Sequence, residues 1–174
     1  MKRLVSMIVA VALAAVAGCG GDKSAPAAAT EQFTQGGGSM EPGIKPGQVI
    51  TARRVADYTP KRGDVVLFHP PADWSAKDTP MLKRVLAVGG EVVACCTPAG
   101  KVTVNGAALD ETYLGEDGPL DAQPDPRSCL ARRFGPVAVP QGSVFLAGDH
   151  RVASNDSRCL GPIPASAVFA VVAG

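Results

Sequence analysis

The chain has 174 residues, with 17 Lys and Arg against 16 Asp and Glu and a net charge of +1. That length holds one ordinary domain plus a targeting segment, and the charge balance leaves no basic field for a nucleic-acid backbone and no acidic one to capture cations. Fifteen Pro and twenty Gly in a chain of 46% apolar content favour short strands and turns over helices, so a small, mainly antiparallel β domain is expected.

Residues 1–19 read as an export segment to be set aside before fold reasoning. Lys2 and Arg3 form a positive start, and Leu4 to Ala17 is an apolar run without a charge. The run falls short of the ~20 residues a membrane-spanning helix needs. It closes on Val16-Ala17-Gly18-Cys19, which resembles the lipobox of bacterial lipoproteins. That resemblance implies a diacylglycerol on Cys19, which becomes the new N-terminus. Ala15-Val16-Ala17 is also an A-x-A site for ordinary signal cleavage, and retention as a short anchor is a third reading. All three carry the rest of the chain across a membrane. From Gly20 to Gly38 the composition shifts to Ala, Gly, Ser, Thr and Pro. Residues 20–35 accordingly read as a flexible tether and 36–174 as the folded domain.

Along that domain, Val49 to Arg54 is a short strand followed by a turn at Thr59 to Gly63, and Asp64 to Phe68 is a β-branched run stopped by Pro70-Pro71. Residues 70–80 form a loop with the only Trp. Met81 to Val88 is apolar except at Lys83-Arg84. Glu91 to Ala94 and Lys101 to Val104, with the turn Asn105-Gly106, have hairpin character. Residues 110–135, rich in Asp, Pro and Gly, read as a long surface excursion. Val137 to Val139, Val144 to Ala147 and Val168 to Val172 supply further strands, and no segment sustains a 3.6-residue period.

Four segments stand out chemically. Gly36-Gly37-Gly38-Ser39-Met40-Glu41-Pro42 sets a hydroxyl in a loop whose glycines let the backbone approach a ligand, with Pro42 stiffening the far side. A nucleophilic Ser there can attack while nearby N–H groups face a developing oxyanion. In Met81 to Leu86, alternation puts Lys83 on one face with Met81 and Val85, and Leu82 and Arg84 on the other. Apolar neighbours strip water from Lys83, which favours the neutral amine and fits it to take a proton from Ser. A snorkelling Lys on an edge strand has the same local pattern. Gly148 to Arg158 is a polar loop after a hydrophobic strand, able to orient an amine through a Ser hydroxyl and to brace itself with an Asp–Arg pair. Lys61 to Phe68 is a turn entering a core strand.

In this order the four segments resemble the bacterial type I signal peptidases, the Ser–Lys serine endopeptidases that remove signal peptides at the outer face of the cytoplasmic membrane. The S-M-x-P box is matched by Ser39 to Pro42, R-G-D-[IV]-V-x-F by Arg62 to Phe68, and K-R-[VI] by Lys83-Arg84-Val85. The G-D-N-R-x-x-S-x-D-S-R-x-x-G box is matched by Gly148 to Gly161. The resemblance implies an all-β, twisted, barrel-like signal peptidase fold over roughly residues 33–164. It implies Ser39 as nucleophile, Lys83 as general base and Ser154 as the group orienting the lysine amine. Asp149, Asp156 and Arg158 would surround them, with Asp156–Arg158 as the bracing pair. Gly37 and the backbone N–H of Ser39 would form the oxyanion hole, and Met40 and Leu82 would line shallow pockets for small side chains. The implied partners are exported precursors with Ala or similar residues one and three positions before the cut, and the membrane surface; no metal or other cofactor is implied.

Three departures accompany it. His150 stands where the family usually has Asn, and Gly90-Glu91 where Gly-Asp is common. The family generally uses transmembrane helices, whereas this sequence offers a lipobox-like segment. His150 also suggests a Ser39–His150–Asp149 triad, although adjacent side chains diverge on extended chain. A dedicated processing protease for pilin-like or conjugation substrates and a non-catalytic surface lipoprotein are the alternative functions on the same fold.

Setting Cys19 aside leaves four Cys, an even number suited to disulfides in an exported chain. Cys95 and Cys96 are expected not to pair with each other, because a bridge between neighbours strains the peptide. That leaves 95–129 with 96–159, or 96–129 with 95–159. Their spacing matches no common zinc pattern.

Overall fold

The computed structural model describes residues 29–74, 79–122 and 129–173. Cys19, the export segment and most of the expected tether lie outside them. The described residues form two antiparallel sheets. The larger has seven strands in the order β1-β2-β11-β3-β4-β9-β10, namely Thr30–Thr34, Val49–Arg54, Val168–Val172, Val65–Phe68, Met81–Val88, Ser143–Ala147 and Ile163–Pro164. The smaller runs β7-β6-β5-β8, over Ala107–Ala108, Val102–Val104, Val92–Cys95 and Phe134–Ala138. Register shifts in the β3–β11, β4–β9 and β5–β8 pairs bend and twist the sheets, as bulges do.

β1 falls within the stretch that composition assigns to the tether. Four of its five residues are exposed, so it carries no apolar alternation to announce a strand. Its pairing with β2 and the packing of Phe33 on Phe169, 5.9 Å between ring centroids, hold it in place. The Asn105-Gly106 turn joins β6 to β7, with φ of 51° and 80°, the left-handed pair that a tight hairpin needs.

Three buried clusters make the core. Val66, Phe68, Val85, Val144, Leu146, Ile163 and Val168 pack with Trp74, whose ring stands edge-on to Phe68. Leu86, Ala87, Phe145 and Ala147 of the large sheet meet Val93, Val102, Val104 and Phe134 of the small one, with Phe134 stacked on Phe145. The third gathers Met40, Ile50, Ala52, Leu67, Leu82 and Ala170. Strand β4 is central and contributes to all three, Val85 to the first, Leu86 to the second and Leu82 to the third. Helix α1 (Ser157–Leu160) follows the Asp156 cap, whose carboxylate accepts the Arg158 N–H. Among the described residues no helix is long and apolar enough to cross a membrane.

The structure corrects the cysteine pairing. Cys95 is bridged to Cys96, and Cys129 to Cys159. The 95–96 peptide is cis and brings the two Cα atoms to 3.0 Å, which lets the neighbouring sulfurs meet. Both cross-pairings inferred from exclusion of the neighbours are therefore overturned.

Candidate active site

Ser39 opens a turn in which the Glu41 N–H donates to the Gly38 carbonyl at 3.1 Å and the Ile44 N–H to the Met40 carbonyl at 3.0 Å. Met40 is wholly buried, and Leu82, at 4% exposure, shares its cluster. The residue after Ser39 and the residue before Lys83 are thus held by one apolar contact set. Both side chains, at the two positions that the resemblance gives to substrate pockets, are buried in this structure.

Lys83 Nζ lies 2.8 Å from Ser39 Oγ and donates to the Leu82 carbonyl at 3.1 Å. The side chain is 3% exposed on a strand flanked on both edges. Burial pushes the ammonium down to about 8; Asp156 and Asp149 pull against that, while Arg158 adds to it. An amine at about 8 has a substantial neutral fraction near neutrality, which a free lysine has not.

Asp156 is fully buried and acts as the hub of the neighbouring loop. Its carboxylate accepts from Ser154 Oγ at 2.7 Å, the Gly148 N–H at 3.0 Å and Arg158 Nε at 2.8 Å. Burial alone would raise its pKa, but the Arg158 charge and these donors outweigh that and hold the carboxyl below its ordinary value. Ser154 commits its single proton to Asp156, which leaves its oxygen as an acceptor. Arg158 also donates to the Arg151 and Ser154 carbonyls at 2.8 and 3.0 Å, so one guanidinium closes the loop on itself. The Cys129 sulfur of the second disulfide accepts the Asp156 N–H at 3.2 Å, which fixes the hub to a distant part of the chain.

Gly148 lies between Ser39 and this hub. A Cβ there would come within 2.4 Å of the Ser39 carbonyl oxygen and 2.4 Å of Ser154 Oγ. Only a bare Cα fits.

The remaining expected residues are placed as follows. Asp149 does not face His150; it takes two hydrogen bonds from Arg84, at 2.8 and 2.7 Å. The His150 ring stands between Glu41 and Glu116, 3.6 and 3.7 Å away, with Nδ1 3.3 Å from the Gly38 carbonyl. The Ser39–His150–Asp149 arrangement is thereby excluded in this conformation, because Arg84 occupies the carboxylate. A Cβ on Gly37 would meet nothing within 4 Å, so that position, two residues before Ser39, faces open space. Sequence reading missed Gln35, a buried amide whose Nε2 donates to the Gly37 carbonyl at 2.6 Å and orients the peptide leading to Ser39. A polar residue inside a polar stretch gave no signal of burial. Arg84 was visible in its box, but its partner Asp149 is 65 residues away and only the pairing of β4 with β9 brings them together.

The sequence matches the family described as "Signal peptidase, peptidase S26" over residues 1–173. The chain belongs to this family. Signal peptidase I of Mycobacterium tuberculosis is 34% identical over 132 residues, covering 60% of this chain and 44% of that protein. Signal peptidase I of Bacillus licheniformis is 32% identical over 132 residues, covering 74% of this chain and 66% of that protein. The chain therefore spans less than half the length of the mycobacterial signal peptidase. The crystal structure of a signal peptidase I from Enterococcus faecalis superposes with a TM-score of 0.49 at 24% identity, covering 67% of this chain and 98% of that one. In this member of the signal peptidase family, each of the four boxes lies on an element that borders the Ser39–Lys83 contact or packs beneath it.

Proposed function

We propose that the protein is a Ser–Lys endopeptidase that removes N-terminal signal peptides from exported precursors, cutting after small residues. The observation that carries this reading is the 2.8 Å approach of a buried lysine amine to Ser39 Oγ. Ser39 attacks the carbonyl carbon while neutral Lys83 takes its proton, and the resulting ammonium gives that proton to the leaving amine. Water then repeats the cycle on the acyl-enzyme. The N–H groups at Gly37 and Ser39 stabilise the oxyanion. Ser154, with its proton held by Asp156, keeps its oxygen open to accept from the lysine during the cycle, while in this structure Nζ donates to Ser39 Oγ and the Leu82 carbonyl; Arg158 and Asp149 keep that loop in register. Membership of the signal peptidase family supports the substrate class, with Ala or similar residues one and three positions before the cut.

The test is cleavage of a precursor carrying an Ala-x-Ala site by the full-length protein, followed by pH. A single cut after the second Ala is expected. Because the base works only when unprotonated, the rate rises with pH through about 8 and falls below it. Absence of cleavage, or a rate independent of pH on the acid side, refutes the assignment. A precursor panel extended to pilin-like substrates separates a general peptidase from a dedicated one.

The same reading places the catalytic domain on the outer face of the cytoplasmic membrane, held by lipid on Cys19 or by a retained N-terminal segment. Mass spectrometry of the native N-terminus decides between them: a diacylated Cys19 supports the lipid tether, and a chain that starts at unmodified Gly18 refutes it.

A further inference from the structure

The segment between β7 and β8 carries none of the four boxes, yet three of its residues reach the site. Glu111 forms an ion pair with Arg151, and both side chains are buried. Arg151 Nε donates to the Gly148 carbonyl at 2.9 Å, so this ion pair ends on the peptide wedged between Ser39 and Ser154. Tyr113 donates its hydroxyl to Glu111 at 3.0 Å and lays its ring against the Arg84 guanidinium, 3.9 Å from its centre. Arg84 in turn holds Asp149 by two hydrogen bonds and the Gly63 carbonyl by a third, at 2.9 Å. Burial first, then the Glu111 charge, pushes the Tyr113 phenol up, so it remains a donor at any working pH.

The third residue closes the strap. The Gly115 N–H donates to the Asp149 carbonyl at 2.9 Å, and a Cβ at Gly115 would come within 2.7 Å of the Glu41 carbonyl and 3.0 Å of Pro42 Cδ. The segment therefore touches the nucleophile turn on one side and the Gly148 to Arg158 loop on the other.

We propose that Glu111 and Tyr113 are positioning residues for the Ser39–Lys83 pair, acting through Arg151 and Arg84 to hold the Gly148–Asp149 peptide against the nucleophile. They touch neither reacting atom. Their effect is geometric: loss of the Glu111 charge frees Arg151 from its carboxylate, the Gly148 carbonyl loses a fixed donor, and the loop whose Asp149, Asp156 and Arg158 act on Lys83 loosens. This inference rests on the endopeptidase reading, and its test separates the two.

In Glu111→Gln, kcat should fall by about tenfold to a hundredfold with KM within about twofold, since displacements of an ångström at a reacting pair cost rates of that order. The acid limb of the rate profile should move to higher pH, because the dry environment that depresses the amine is relaxed. Tyr113→Phe removes one hydroxyl and keeps the ring; a smaller kcat loss in the same direction is expected, which guards against a folding defect in the first variant. Thermal melting well above the assay temperature must accompany both. An unchanged kcat, or a change in KM alone, overturns the proposal, since a merely structural role would not select kcat. If the wild-type chain cleaves no precursor, the endopeptidase reading fails, and NMR titration of the Lys83 amine still decides this inference. A rise in Glu111→Gln supports the strap, and an unchanged titration overturns it.

Discussion

Lys83→Met is expected to abolish cleavage while making the fold more stable. On the proposed mechanism Ser39 and Lys83 act as one unit, so removing either costs about as much as removing both, with losses of ~10⁴-fold or more in kcat. Ser39→Ala and the double variant should fall to the same floor. The stability effect follows from burial. Lys83 titrates at about 8 in the folded chain against 10.5 for the free side chain. Between those values the unfolded state binds more protons, so stability rises with pH through the window from 8 to 10.5. Below about 8 the full penalty of a buried ammonium is present, of the order of 3 kcal/mol. Methionine is one atom shorter, is likewise unbranched, and removes the charge. Ser39 Oγ loses a partner, at about 1 kcal/mol, which leaves a net gain of about 2 kcal/mol at neutral pH. Urea midpoints at pH 7 and peptide-cleavage rates on the same preparations measure both halves. Cleavage that survives the substitution removes Lys83 from the mechanism, and a lowered midpoint shows that its ammonium is not held at a cost.

Gly148→Ala carries the second large effect. The added Cβ would lie 2.4 Å from the Ser39 carbonyl oxygen, which is backbone and cannot rotate away, and 2.6 Å from Ser154 Cβ. Something must shift, and what shifts is either the nucleophile turn or the loop that carries Ser154 and Asp156. Overpacking of this kind costs about 1–3 kcal/mol of stability, and the displaced pair should lose about a hundredfold in rate or more. Gly135→Ala, where an added Cβ meets nothing within 4 Å, is the matched control and should leave the rate unchanged. Equal rates in the two variants would mean that the Ser39–Gly148–Ser154 contact does not set the geometry.

What could be read from the sequence was what a local pattern determines. Strands β2 and β4 begin and end where their apolar runs do, and β3 starts one residue later than its run. Lys83 could be singled out because its strand neighbours are apolar at the alternating positions, and burial then does to its amine what that pattern implies. The rest depends on contacts between distant residues. Glu111 and Tyr113 sit in an Asp-, Pro- and Gly-rich stretch that any surface loop could carry, and only the partners Arg151 and Arg84 make them interior. β1 has a single apolar side chain and is a strand because β2 offers it a free edge. The cysteine expectation went astray for a local reason, since it held that a bridge between neighbours strains the peptide, whereas Cys95 and Cys96 are bridged across a cis peptide.

Met40 and Leu82 sit in the same buried cluster, one residue after Ser39 and one before Lys83. The span from Ser39 to Lys83 is consequently a dimension of the protein's interior, set by how tightly methylenes fit together rather than by a hinge or a lid. On the endopeptidase reading, turnover then works as a gauge of core density. Substitutions that swell or hollow the interior around Met40 and Leu82 register as lost turnover before they register as lost secondary structure.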